Sequence, residues 1–435
     1  MAAAVDWKGG AVFKGAVLRY LLSGALSLLG NSLAGVVLPL VLLARTGDVL
    51  AAGSLAIICA VPQFVCGIVG GALLDRYNRR AVCVIADVIS ALSCAMLPII
   101  DEIWGLSFGW FILTGLIGAI GDVPGMSARD ALLPAVCERE GADLQRFVGA
   151  NQSLHALINV VGPAAAALLI GFMNDIDALW ITAACSCAAA LVSLTLPRSV
   201  GEVHHAGASA DAGVDSAISS DSSQGLRAIL RGAWRVLIEG VRALFGNDEL
   251  LRTSTLLAFG ITMIMGSLQG IVLPTYFTQV AHPEMVGYVV ASMGAGMLAG
   301  SLLYTGASYR MSRRSWLVVS LLGMAAGMCV LGSFPSPQVL LASAAVIGLS
   351  AGPASALLGF FAYDRVPDER RGAAMGTLNA LYLVVTPAGA FLGSIVISLV
   401  SIDSAGIVMA AAWLVVTVFA LVAKPLRNLD APRPF

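Results

Sequence analysis

The sequence predicts an all-α integral membrane protein: twelve transmembrane helices in two pseudo-symmetric six-helix bundles, with both termini cytoplasmic. Three observations carry that expectation. Of 435 residues, 58% are hydrophobic and only 12% charged, against roughly a quarter charged in a soluble chain, and the mean hydropathy is +0.88. The apolar residues gather into runs of about 20, the length that crosses a bilayer. Sorted by those runs, the basic residues fall almost entirely on one side. The shortage of charge excludes a water-soluble enzyme and a disordered regulator. It also excludes a nucleic-acid binder, which needs a basic surplus, because 25 Lys and Arg stand against 26 Asp and Glu.

The runs lie near 17–43, 50–74, 81–100, 106–127, 147–172, 177–196, 253–279, 285–308, 315–334, 338–362, 373–400 and 404–423. The first is too long for the apolar core of a signal peptide. Short alternating segments, the mark of a membrane β-barrel, are missing. The 47 glycines suit helices that must approach closely without a hydrophobic force between them. With the N-terminus inside, every Lys and Arg except Arg45 falls on the cytoplasmic side, whereas Asp48, Asp101, Glu102, Asp175, Asp177, Glu284 and Asp403 lie outside. That is the positive-inside pattern, and one helix more or fewer would reverse every later loop.

The chain divides into residues 1–196, a cytoplasmic linker at 197–249, and residues 250–435. The linker begins Ser/Ala/Asp/Gly-rich, with His204 and His205 in a tract that has no apolar periodicity, as in a flexible, solvated segment. From 226 to 245 its character changes. Leu226, Ile229, Leu230, Trp234, Leu237, Ile238 and Val241 recur at helical spacing opposite Arg227, Arg231, Arg235 and Arg242. Such a basic amphipathic helix lies either along the inner membrane surface or against the cytoplasmic loops. The eight cysteines show no metal spacing and fall mostly within apolar runs, as small packing residues do.

The two halves echo each other. GGALLDRYNRRAV closes the second run and SLLYTGASYRMSRRSWLV the eighth; GANQSL opens the fifth and GTLNAL the eleventh. Weak internal symmetry of this kind marks transporters built from repeats, with a site between the halves near mid-membrane.

The stretch Gly71-Ala72-Leu73-Leu74-Asp75-Arg76-Tyr77-Asn78-Arg79-Arg80 resembles the signature that the major facilitator superfamily carries between its second and third spans. Asn78 stands where the family has a second Gly, a replacement expected to be tolerated because Asn also accepts positive φ. The resemblance implies the twelve-helix fold, with Asp75 facing the start of span eleven and Arg79 paired with an acid near the inner end of span four, either Asp122 or Asp130. The stretch SARDALLP (127–134), Ala150-Asn151 and Gly162-Pro163 resemble the branch of bacterial macrolide and siderophore exporters. The Gly162-Pro163 pair, a candidate helix bend, is similar to the antiporter motif of drug exporters, although Ala164–Ala167 follow where that motif has glycines.

Ionisable groups in lipid are expensive and point to function. Asp87 lies about 10 Å into span three and Asp122 about 8 Å from the inner end of span four, at ~1.5 Å per residue. Either is a proton-coupling candidate, or else an acid paired with the Arg76–Arg80 cluster or with Arg129. Pro124 is expected to loosen the helix beside Asp122. His155, the one histidine within a span, is a titrating partner or a packing group. Asn31, Gln269, Ser350, Asn379 and Tyr382 are candidates for the substrate cavity or for helix–helix hydrogen bonding. The last six spans carry no charge, which suits a bulky, largely apolar or cationic substrate better than a sugar phosphate or a dicarboxylate.

These features together predict a secondary active transporter in the inner membrane of a bacterium. Its expected activity is efflux of a lipophilic, drug-like or siderophore-like molecule driven by a proton or other ion gradient. Uptake or lipid translocation by the same fold is the alternative. No phosphate-binding loop is present, so neither ATP nor another cofactor or metal is expected. The expected partners are a small-molecule substrate and the bilayer, with no nucleic acid, and the chain is expected to act as a monomer. A membrane enzyme would need clustered His, Asp or Cys, and a sensor an attached soluble domain; the sequence offers neither.

Overall fold

The computed structural model describes residues 15–74, 77–141, 144–173, 176–201, 222–246, 248–366 and 368–427. Among these there are helices and no strands. The first six are α1 (Ala16–Thr46), α2 (Val49–Leu74), α3 (Arg79–Trp104), α4 (Phe108–Glu140), α5 (Leu144–Phe172) and α6 (Ala178–Leu194). After the linker come α7 (Ser222–Phe245), α8 (Glu249–Ser267), α9 (Leu273–Gln279) and α10 (Met285–Ala307). The chain continues with α11 (Arg313–Leu331), α12 (Pro337–Arg365), α13 (Asp368–Leu399) and α14 (Ile402–Val422). Eleven described helices are long and apolar enough to cross a membrane, with α8 and α9 forming one of them. The predicted run at 177–196 is α6, apolar but only 17 residues long.

The outward surface of these helices is apolar: Ile85, Leu92, Leu191, Leu302 and Val415 are all exposed. A water-soluble fold would bury such residues; here lipid is their solvent. Inside, the buried hydroxyls of Ser93, Thr114, Ser343 and Thr417 hydrogen-bond to carbonyls three or four residues back. They thereby satisfy themselves where no water is available.

Helix ends are capped locally. Asn78 caps α3, its side chain accepting from the backbone N–H groups of Arg80 and Ala81, and its φ is −60°. The expected reason for tolerating Asn at this position is therefore corrected: it serves as an N-cap in extended backbone, not as a left-handed turn residue. Arg80 donates to the carbonyls of Ser193 and Leu194, and Arg19 to that of Thr195. These bonds satisfy the otherwise orphaned carbonyls at the end of α6.

Two expectations about α4 change. The helix predicted to end near 127 continues as α4 to Glu140. Its charged residues hide a stripe of Leu132, Val136 and Cys137 that packs with Tyr20 and Phe147. The expected loosening at Pro124 leaves α4 unbroken, and the helix passes through both Pro124 and Pro134.

The connections alternate between two faces. Arg45 pairs with Asp101 at 2.8 Å on the face where α1 ends, and the Ala16 amide donates to Glu140 at 3.2 Å on the face where α1 begins. On the latter, near face, α7 packs against α13, α2 and α8. The apolar packing differs between the faces. Toward the far face one continuous cluster runs from Leu33–Leu43 of α1 into Ile264–Phe277 of α8 and α9. Toward the near face there are separate clusters, one around Tyr20, Leu132 and Phe147 and another around Leu257, Trp316 and Phe361. The first six helices meet the later ones chiefly where α2 packs on α13 and α5 on α10.

Candidate functional site

Between these contacts lies a cavity of about 660 Å³, lined from α1, α2, α5, α8, α9, α10, α11, α12 and α13. That volume falls within the ~300–1,000 Å³ typical of small-molecule sites. None of its described lining residues carries a charge. Met265, Met293, Met297 and Met324 form much of the apolar wall, and Gln269, Asn159 and Ser32 are among its few polar side chains. Methionine is unbranched and polarisable, so such a wall adapts to irregular apolar shapes. A second cavity of about 310 Å³ extends toward the near face and shares Ile261, Thr262, Met324, Ala351 and Ser355 with the first.

Backbone irregularity presents the polar groups. Leu268–Val272 forms a π-helical turn, closed by the Leu273 amide donating to the Leu268 carbonyl. Pro274 follows, and with no N–H it cannot donate to the Gly270 carbonyl. Gln269, Gly270 and Pro274 all line the cavity. The site thus sits at a single-turn π-bulge, a local distortion frequent at functional sites.

The predicted residues distribute unevenly around this cavity. Gln269 and Pro163 line it, and Tyr382 lines the smaller extension. On α1 the wall takes Ser32 in place of its neighbour Asn31. On α12 it takes Ala351 and Ser355, while the Ser350 hydroxyl faces Gly323 of α11. Asn379 is exposed on α13. Gly162 and Pro163 form a crossing point, and α5 continues through them. A side chain at Gly162 would collide with Ser32, and one at Gly287 of α10 with the Pro163 carbonyl. The methionine wall went unpredicted, because Met at helical spacing reads from sequence as ordinary core.

The buried acids lie elsewhere, where α1, α3 and α4 meet. Asp87, 4% exposed, pairs with Arg129 at 2.5 Å and accepts from the Ser27 hydroxyl at 2.9 Å. Arg129 also donates to Ser23 at 3.0 Å, and its carbonyl accepts from the Tyr20 hydroxyl at 3.1 Å. Of the basic partners expected for Asp87, Arg129 is the one it meets. Asp122, half-buried on α4, lies close to Ser90 and Cys94 of α3. Asp130 is exposed and close enough to His155 of α5 for their charges to interact. Arg79 does reach α4, where its described partner is the Ala131 carbonyl at 3.1 Å rather than either acid. Gly71 lies in α2; Asp75 and Arg76 fall outside the described residues.

The sequence profile of the Major Facilitator Superfamily matches this chain over residues 20–279 and again over 255–434. A multidrug efflux pump, Tap, of Mycolicibacterium fortuitum is 27% identical over 421 residues, covering 96% of this chain and 98% of its own. Macrolide efflux protein A of Streptococcus pyogenes is 23% identical over 375 residues, covering 85% and 86%. Among solved structures, the nucleoside transporter NupG superposes with a TM-score of 0.69 at 14% identity, over 97% of this chain and all of that one. A bacterial homologue of the iron transporter ferroportin, in an inward-facing state, gives 0.68 at 16% identity, covering 96% and 98%. With its family profile, fold and central cavity in agreement, the chain belongs to the Major Facilitator Superfamily of membrane transporters.

Proposed function

We propose that this transporter exports a lipophilic small molecule from the cytoplasm in exchange for protons, by alternating access. The observation that carries the proposal is the charge-free, methionine-walled cavity between the helices of the two halves. Such a wall binds by apolar burial, at roughly 25 cal/mol per Å² removed from water, and offers no fixed charge to an anion. The efflux activity named for the drug-pump relatives supports the outward direction.

In this reading α6 is the sixth of twelve spans, the near face is cytoplasmic and the protein sits in the inner membrane as a monomer. Residues 1–196 and 250–435 are the moving halves. A joined far-face core and split near-face cores correspond to a cavity facing inward. Protons are handled apart from substrate, at Asp122 and at Asp87. A proton on Asp87 would release Arg129 and loosen α4 from α3, while His155 near Asp130 is a further candidate on α5. The Gly71–Arg80 stretch, with Asp75, Arg76, Arg79 and Arg80, forms the inner gate. An ion gradient is the only driving force; no ATP or cofactor takes part.

The test uses inverted vesicles and a panel of lipophilic toxins. Proton-driven accumulation of a panel compound that stops when the gradient is collapsed is the expected result. Accumulation that persists without the gradient overturns the coupling. Movement only in the opposite direction, or of phospholipid alone, replaces export with uptake or lipid translocation.

A further inference from the structure

The segment that transport leaves unexplained is α7. Its docked side is clear: Leu244 is fully buried and packs with Leu251, Val366 and Ala374. Phe245 lies against Phe259 at 6.3 Å between ring centroids, and Phe259 lies edge-on to Tyr382 at 5.3 Å. Tyr382 in turn lines the inner extension of the cavity. The helix therefore rests on α13 and α2, at the face where the apolar cores of the two halves are separate.

Another side of α7 is bare. Trp234, Ile238 and Val241 are 59%, 36% and 37% exposed. At about 100° per residue they form one stripe beside Leu244, and the same stripe ends in the docked Phe245. Arg235 and Arg242, both exposed, fall on the next strip round. Glu239, the acid among the exposed residues here, lies beyond the arginines. Docked side, apolar stripe, arginine strip and polar side thus follow in order. A helix lying in the boundary between acyl chains and headgroups has that order, with the tryptophan at the interface.

We propose that α7 is an interfacial strap that binds anionic phospholipid of the cytoplasmic leaflet and, through Phe245, Phe259 and Tyr382, sets how readily the inner end of the cavity opens. Charge complementarity selects the occupant. Two exposed arginines on one strip, Arg235 and Arg242, favour a layer of phosphodiesters, and the bare apolar stripe beside them enters the acyl region, which no soluble acidic partner provides. Each arginine near an anionic surface contributes about fivefold in affinity. The inference uses the cytoplasmic placement of the near face argued above.

The test is hydrogen exchange on the full-length protein in nanodiscs of phosphatidylcholine, or of an equal mixture with phosphatidylglycerol. Amides of 232–245 are expected to exchange at least about fivefold more slowly in the anionic discs. The double variant Arg235→Gln, Arg242→Gln is expected to lose that difference, while Arg235→Lys, Arg242→Lys keeps it. Equal protection in both lipids, or protection that survives loss of both arginines, overturns the proposal. Since this readout involves no transport, it stands or falls separately from export. In proteoliposomes, the wild-type transport rate should depend on phosphatidylglycerol and that of the glutamine variant should not. A rate insensitive to lipid charge, with the protection present, removes the link to the cavity.

Discussion

Asp87 and Arg129 show what a charge inside this protein requires. At 5% and 11% side-chain exposure the two are held at 2.5 Å, with Ser23 and Ser27 taking up remaining hydrogen-bonding capacity. Removing one partner of such a pair costs about 3–5 kcal/mol, whereas replacing both is often nearly neutral. Asp87→Asn is therefore expected to lower the thermal unfolding temperature in detergent more than Asp87→Asn combined with Arg129→Gln does. If the double variant is the less stable of the two, the pair is not what holds α3 to α4. In the cavity, Gln269→Leu removes hydrogen bonding from a wall that has few polar groups. At about 1–1.5 kcal/mol for a hydrogen bond, binding of a polar-substituted substrate should weaken roughly tenfold, while a purely apolar one is unaffected, as equilibrium binding would show.

At the scale of elements, prolines and glycines set the geometry. Pro274→Ala restores a donor to the Gly270 carbonyl and lets α8 and α9 join as regular α-helix. Losing the π-turn rotates the preceding residues by about one helical step, roughly 100°, so Gln269 would leave the wall. Export is expected to fall while protein level and the far-face packing persist. Unchanged export would show that the bulge does not position the site. Gly287→Val drives a side chain into the Pro163 carbonyl, where α10 crosses α5. Overpacking of this kind costs about 1–3 kcal/mol, and the expected outcome is a folded protein that is less heat-stable and transports poorly. The sequence placed these helices because hydropathy reads length. It missed the extension of α4 because charged residues on one side of a helix mask a buried stripe on the other.

For the molecule as a whole, the central cavity and the proposed proton sites lie in different parts of the fold. The cavity is uncharged along its described lining, which does not include Asp122; Asp122 lies close to Ser90 of α3. In the proposed mechanism, protonation acts on substrate through helix movement rather than by competing for the same space. Asp122→Asn is expected to bind substrate with wild-type affinity in detergent yet lose gradient-driven accumulation in vesicles. Loss of binding and accumulation together would place Asp122 in the substrate site. Of the candidates chosen from sequence, Gln269, Tyr382 and Pro163 reached a cavity wall and Asn31, Ser350 and Asn379 did not. A polar residue in an apolar run has to face protein, but the run does not say whether it faces a cavity or a neighbouring helix.

The sequence by itself determined the solvent, the helical class, the approximate place of each membrane run and the family, since these depend on composition, on run length and on one contiguous motif. Only the tertiary structure decided that Asp87 meets Arg129, which lies 42 residues away, that Arg79 finds a carbonyl, and that α7 lies across α2 and α13. It also decided that four methionines from α8, α10 and α11 share one wall. Each of those depends on how helices distant in the chain are rotated about their own axes. In lipid that rotation is set by close packing and hydrogen bonding between helices, and hydropathy along a single run does not record it.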